Sequence, residues 1–299
     1  VMNGQGGFDA IITNPPWEVF QTDEKEFFQT KLPQATIQKN RLRIEDWKKQ
    51  QKDLMKDPEL RSAWLEYSSQ FPHVSAYFKT SPQFANQRSI VGGRNVGSKI
   101  NLYSYFTEQC VNLLRPGGMC GIVIPSGIYT DIGTKRLREM LFEETEIGGL
   151  FCIENRKFVF EGVDCRFKFV VLTFRKGGTT EEFPAAFMRH DVGELERFPA
   201  HGSIPISVGL VRRLSPDSLS VMEFKSAMDV QIAEKMLRFP LLGEKIEGAW
   251  NVVFTQEFNM TTDSHLFRTE PGRGRLPLYE GKMIHQFDHR WGEPRYWVD

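Results

Sequence analysis

The chain has few cysteines, no net charge and no long apolar run, and each shortage excludes a class of protein. Its 299 residues contain four cysteines, Cys110, Cys120, Cys152 and Cys165, none in a C-x-x-C pair. That argues against a disulfide scaffold and for reduced thiols in a cytoplasmic setting. The longest apolar runs, such as residues 169–174, fall far short of the roughly 20 residues that a membrane span needs. Residues 1–7 are polar and glycine-rich and do not read as a signal peptide. Hydrophobic residues make up 40%, charged residues 25% and aromatics 12%. This balance excludes disordered and collagen-like chains and predicts one large globular domain or two ordinary ones. Because 38 Lys and Arg balance 38 Asp and Glu, the chain as a whole is not a uniformly basic nucleic-acid binder.

The charge is unevenly placed along the chain. Residues 1–30 carry a net −4, residues 31–100 a net +7, residues 101–180 a net +1 and residues 181–299 a net −4. A local basic block inside a neutral chain can steer a polyanion, although a solvated helical face has the same composition.

Residues 8–13 (FDAIIT) form a short apolar run that ends at Asn14-Pro15-Pro16. It reads as a buried strand followed by a loop at its carboxyl end, because prolines cannot continue a ladder. Asp23 and Glu26 stand at capping-box spacing, which predicts a helix start. Residues 35–79 read as helical, with breaks at Pro58 and near Pro72. Residues 81–98, with their VGGRNVGS stretch, read as a mobile loop. From Asn101 onward the pattern is regular: an amphipathic helix at 102–114, an RPGG turn, a strand at 119–124, a helix at 131–142, and strands at 147–153 and 168–174. Strands alternating with helices predict an α/β fold with a parallel-type sheet. Beyond Gly177-Gly178 the alternation fades, which places a domain boundary near residue 178.

Asn14-Pro15-Pro16-Trp17 carries the chemistry. Ligands of α/β sheets gather outside the carboxyl ends of strands, where this loop stands. The prolines stiffen it, so that the Asn14 side-chain oxygen and the Pro15 carbonyl become two fixed acceptors beside an aromatic ring. Two acceptors hold both protons of a planar group's NH₂ and draw its nitrogen toward a more nucleophilic geometry, while Trp17 stacks on the plane.

With these residues in place, the sequence resembles the adenine-specific DNA methyltransferases, whose motif is FDxIIxNPP followed by an aromatic. The resemblance extends through Asn101-Leu102-Tyr103 with Phe106, the RPGG turn, residues 121–127 (GIVIPSG) and residues 158–174, and so covers about residues 8–178. It implies an S-adenosylmethionine-dependent enzyme that methylates the exocyclic amine of a flipped adenine in double-stranded DNA. It also implies roles: Asn14 and Pro15 hold the amine and border the cofactor, Pro16 shapes the loop, and Trp17 stacks on the base. Phe160 is the expected second stacking residue, with Phe158 as the alternative. Residues 215–224, 265–269 and 277–291 resemble large restriction–modification enzymes that fuse methyltransferase and target-recognition regions.

The implied fold is the C-terminal half of a Rossmann-like methyltransferase sheet, followed by a connector and the start of a target-recognition domain. The expected divisions are a catalytic part at 1–178 with a basic helical insertion at about 31–100, a connector at 179–245, and recognition residues from 246 to 299. Lys48, Lys49, Lys52, Arg94 and Lys99 from the basic block, and Lys282, His285 and Arg290 near the C-terminus, are the expected DNA contacts. The family's F-x-G-x-G cofactor loop has no counterpart here, since residues 3–7 read only as a turn into the strand. The chain is therefore expected to be part of a larger polypeptide that supplies an upstream cofactor-binding half and a downstream recognition domain. Two other readings stay open: a protein-glutamine or RNA amine as acceptor, and a non-catalytic DNA-specificity module. Pro216-Asp217 with Glu223-Phe224-Lys225 imitates a PD…ExK nuclease signature, but the halves are too close to supply acids from neighbouring strands. His285 and His289 are i,i+4 partners that lack a third convergent ligand, so no metal site is expected.

Overall fold

Gly7 turns the chain into its first strand with φ at +79°. A Cβ at Gly7 would lie 2.5 Å from the Leu113 carbonyl oxygen and the Arg115 amide nitrogen, so the backbones meet there only through glycine. The computed structural model describes residues 6–31, 51–96, 99–249, 251–253 and 255–299. Of the residues expected to make turns or DNA contacts, Asn3, Gly4, Gln5, Lys48 and Lys49 lie outside the described residues.

The first of the chain's two units, Val1–Arg238, is built on a six-stranded sheet. Its strands are β1 (Phe8–Thr13), β4 (Leu114–Pro125), β5 (Thr145–Glu154), β6 (Lys168–Lys176), β7 (Glu182–Arg189) and β8 (Ile204–Ser207), in the order β1-β4-β6-β5-β7-β8. A separate small hairpin pairs β2 (Ile90–Val91) with β3 (Arg94–Asn95). β1 runs parallel to β4 and β5 parallel to β7, while β6 is antiparallel to both β4 and β5. Four of the six strands therefore point one way, with β6 threaded between two of them, and the α/β class holds.

Among the described residues of this unit, the α-helices longer than one turn include α1 (Glu24–Lys31), α2 (Pro58–Thr80), α3 (Leu102–Leu113), α4 (Lys135–Glu144), α5 (Val208–Leu214) and α6 (Ala227–Met236). The main core packs Leu137, Met140 and Leu141 of α4 and Cys110 and Val111 of α3 against Ile122, Ile124, Cys152, Val170 and Leu172 of the sheet. The opposite face carries a smaller cluster of Phe151, Ile153, Phe169 and Ala186. Burial on both faces explains the near-continuous apolar runs of β5 and β6. Cys110, Cys120 and Cys152 are buried free thiols, with Cys165 half-buried.

Several expectations need correction. β1 is not a buried strand: it forms the edge of the sheet, leaving Ile12 91% and Phe8 52% exposed. The boundary expected near residue 178 falls inside the sheet, because β7 and β8 extend it and the units divide at Arg238 and Phe239. α2 runs unbroken through Pro72. Aromatic packing offsets the lost hydrogen bond: Phe71 stacks on Phe20 at 4.8 Å and Phe78 meets Tyr105 at 5.1 Å. Residues 81–96 are folded rather than a mobile loop. Phe84 is buried, and Gly92 and Gly93 provide the two positive-φ positions that close the β2–β3 hairpin. Asp23 caps α1 as expected, accepting from the Glu26 amide at 2.8 Å.

Arg138 straps the chain after α5 onto this unit. Its guanidinium, 2% exposed, donates to the carbonyls of Ile128, Asp131 and Ser218 and to the Thr134 hydroxyl. Burial brings its pKa down to about 10. The second unit, Phe239–Asp299, contains a short antiparallel pair, Leu276–Pro277 with Trp297–Val298, tied by Arg268 and Arg275 to Asp299. Among the described residues no helix is long and apolar enough to cross a membrane. Replacing Arg138 with alanine removes four hydrogen bonds of a buried guanidinium, among them the one to the Ser218 carbonyl, and should lower stability by about 3 kcal/mol, read as a lower urea midpoint at unchanged slope.

Candidate active site

The four like-directed strands end at one edge of the sheet, and the Asn14-Pro15-Pro16-Trp17 loop begins there, directly after β1. Asn14 and Pro16 are exposed and Pro15 is buried, so the loop is seated by its first proline. Trp17 fixes the other end: its indole N–H donates to the Val123 carbonyl of β4 at 3.2 Å. Its ring stacks on Phe167 (5.7 Å between centroids, 13° between planes) and on Phe169 (6.0 Å), and meets Phe160 edge-on at 4.9 Å. Just beyond, the Leu102 amide donates to the Glu18 carbonyl and the Phe20 amide to the Ile100 carbonyl, which ties the loop's exit to the start of α3.

The arrangement expected for Phe160, on the far side of a base from Trp17, is not present. Phe160 touches Trp17 and Phe169 directly and leaves no gap for a third ring. It is part of the wall behind Trp17. Phe158 differs: its ring is 57% exposed and its backbone is left-handed, with φ 51° and ψ 46°. The loop that carries both is organised by Asn155, which is fully buried. Its carboxamide nitrogen donates to the carbonyls of Phe160 and Val163 at 2.9 and 3.0 Å, and its oxygen accepts from the Phe160 amide at 3.0 Å.

Sequence reasoning missed a cluster of ionisable groups at the ends of β5, β6 and β7. Lys168 donates to Glu223 at 2.6 Å and lies 3.9 Å from Glu154, while Tyr129 donates to Glu223 at 2.6 Å. Glu154 also pairs with Arg156 at 2.6 Å and lies 3.2 Å from His190 Nε2. The Arg156 hydrogen bond holds the Glu154 carboxyl below its ordinary pKa. Burial, with Cys152 and Glu223 nearby, pushes the Tyr129 hydroxyl well above its usual range. Burial alone would lower the Lys168 pKa, but Glu223 raises it. The five segments involved have no common spacing; the only sequence signal is a charge at the end of each apolar strand. The nuclease-like reading of Glu223 has no support here, because its carboxylate is already held by Tyr129 and Lys168.

The expected DNA contacts are scattered. Lys52 and Arg94 are exposed. Lys99 borders a cavity of about 250 Å³ with Asn101, Ser104 and Asp131. In the second unit Lys282 pairs with Glu280 at 3.0 Å, His285 packs on Trp291 at 4.7 Å, and Arg290 Nε approaches His289 at 3.2 Å. His285 and Asp288 face each other across a tight turn, so His285 and His289 do not share a helix face.

Residues 28–160 match the model of the Eco57I restriction-modification methylase family. That stretch ends at Phe160 and begins after the Asn14–Trp17 loop. No curated protein matches the chain. Among solved structures, the type I restriction-modification methyltransferase subunit from Streptococcus thermophilus aligns over 73% of this chain and 38% of its own, at 12% identity and TM-score 0.42. The M protein of the type I restriction enzyme EcoKI aligns over 50% of this chain and 45% of its own, at 16% identity and TM-score 0.33. The type IIG endonuclease BpuSI aligns over 55% and 19%, at 19% identity and TM-score 0.31. The chain thus spans less than half of each. Replacing Asn155 with alanine removes three hydrogen bonds from a buried carboxamide to the loop and should cost about 2 kcal/mol, measured by thermal melting.

Proposed function

We propose that the chain contributes the acceptor-binding part of a DNA methyltransferase of the restriction–modification type, acting on the exocyclic amine of adenine. The observation that carries this reading is the Asn14–Trp17 loop, set at the carboxyl edge of the sheet and pinned to β4 through Trp17. Asn14 and the Pro15 carbonyl accept the two amine protons, and Trp17, backed by Phe160, Phe167 and Phe169, gives the base a flat apolar surface. A base inside duplex DNA cannot reach such a loop, so the adenine is flipped out of the stack. The loop's acceptors are neutral, which suits an amine that must be polarised before it loses its proton.

The methyl donor on this reading is S-adenosylmethionine, which brings a methyl group on a sulfonium. The described residues fit the acceptor side of that chemistry, with Asn14 and Pro15 at the border. The remainder of the cofactor site is assigned to polypeptide that pairs along the open edge of β1, where Phe8 and Ile12 are exposed. Lys52, Arg94 and Lys99, with Lys282, His285 and Arg290 of the second unit, are the proposed phosphate contacts, and the reduced thiols fit the cytoplasm. In the full-length protein, Asn14→Ala should abolish methyl transfer to DNA while leaving DNA binding within about twofold, because base-edge polarisation and backbone binding are separate terms. Tritium transfer and gel-shift assays measure the two, and undiminished transfer would overturn the proposal.

A further inference from the structure

Phe158 and Val159 stand side by side at the tip of the loop between β5 and β6, 57% and 41% exposed. Phe158 holds a left-handed backbone (φ 51°) that a bulky side chain adopts only at a cost, so the surrounding structure imposes it. Asn155 imposes it from below: its carbonyl accepts from the Phe158 amide at 2.9 Å, and its buried side chain clamps Phe160 and Val163. The tip is therefore rigid. It is also close to the candidate site, since two residues of chain span at most about 7 Å and Phe160 rests on Trp17. Around it stand Lys157 and Arg166, exposed cations whose surface ion pairs with Asp191 and Asp164 are weak enough to exchange for phosphates.

We propose that Phe158, with Val159 beside it, is a wedge that enters duplex DNA and fills the space left in the stack by the flipped base. The proposal rests on the DNA methyltransferase reading and adds a role for a side chain that the aromatic wall does not use. Apolar wedges between base steps are an established way to offset unstacking, and a rigid strained tip gives up little further entropy when it inserts. Phe160 receives the structural part and Phe158 the DNA-facing part.

The test uses the full-length protein and a duplex carrying the sequence that the wild type methylates, found by sequencing its modified DNA. With 2-aminopurine at the target position, the wild type should raise fluorescence on binding. Phe158→Ala should lose most of that rise, and methylation of the matched duplex should fall about tenfold. When the target adenine is mispaired, and so already cheap to extrude, the same variant should recover to within about twofold of wild type. Phe158→Leu keeps an apolar filler and should stay within about threefold on both duplexes. Wild-type rates for Phe158→Ala on the matched duplex, or an equal defect on matched and mispaired duplexes, would overturn the wedge while leaving the methyltransferase reading intact. A wild-type protein that methylates no DNA removes both.

Discussion

The Trp17 indole is the joint on which the candidate site depends. It belongs to a loop that follows the edge strand, yet its N–H is bound to β4 and its ring to residues at the start of β6 and in the loop before it. An edge strand holds its neighbours by one ladder only, so the loop after it would wander without a second attachment. The indole supplies that attachment through an apolar body and one directional donor. The Leu102–Glu18 and Phe20–Ile100 hydrogen bonds fix the chain immediately downstream. Asn14 is left exposed on a segment that is held at both ends.

The strand and helix pattern from Asn101 to Phe174 was legible because burial on both faces writes long apolar runs, and because α4 shows its stripe of Leu137, Met140 and Leu141. The capping of α1 by Asp23 was equally readable, since it is local. The failures are non-local. FDAIIT looks buried from its composition, but its exposure depends on which strands lie beside it, and only β4 does. Pro72 reads as a helix breaker until the rings of Phe20, Phe78 and Tyr105 are brought together around α2. β7 and β8 look like the start of another domain because Pro184 and Pro205 interrupt their runs, yet both prolines face each other in an outer pair of the sheet. Phe158 and Phe160 are indistinguishable in sequence. The buried Asn155 between them and β5 separates their fates.

The two faces of the carboxyl edge have opposite characters. The face that carries Trp17 is aromatic and its hydrogen-bond acceptors are neutral. The other face carries Tyr129, Cys152, Glu223, Lys168, Glu154 and His190 in one connected set. Strand periodicity enforces the division: Phe167 and Phe169 point one way and Lys168 the other. Glu223 enters this set from the segment after α5, which is also held by the Val221–Tyr129 hydrogen bond and by Arg138 at Ser218. The cluster therefore closes the first unit, and this is why the sheet-bearing unit extends to Arg238 rather than ending with the alternation near residue 178.

On the proposed function, this segregation has a chemical consequence. Methylating an aromatic amine calls for acceptors that polarise the N–H bonds without a strong base, which would trap the proton in the ground state, and for a surface that a polyanion can approach. Free carboxylates at that edge would work against both. The two that stand there, Glu154 at the end of β5 and Glu223 from the segment after α5, are each matched to a cation, Arg156 and Lys168, at 2.6 Å. At that separation an ion pair near a protein surface presents little net field to a phosphate more than about 8–10 Å away at physiological salt. The acidic groups thus support the sheet edge electrostatically without repelling the duplex, and the neutral amide oxygens of the Asn14 loop are left as the acceptors that meet the base.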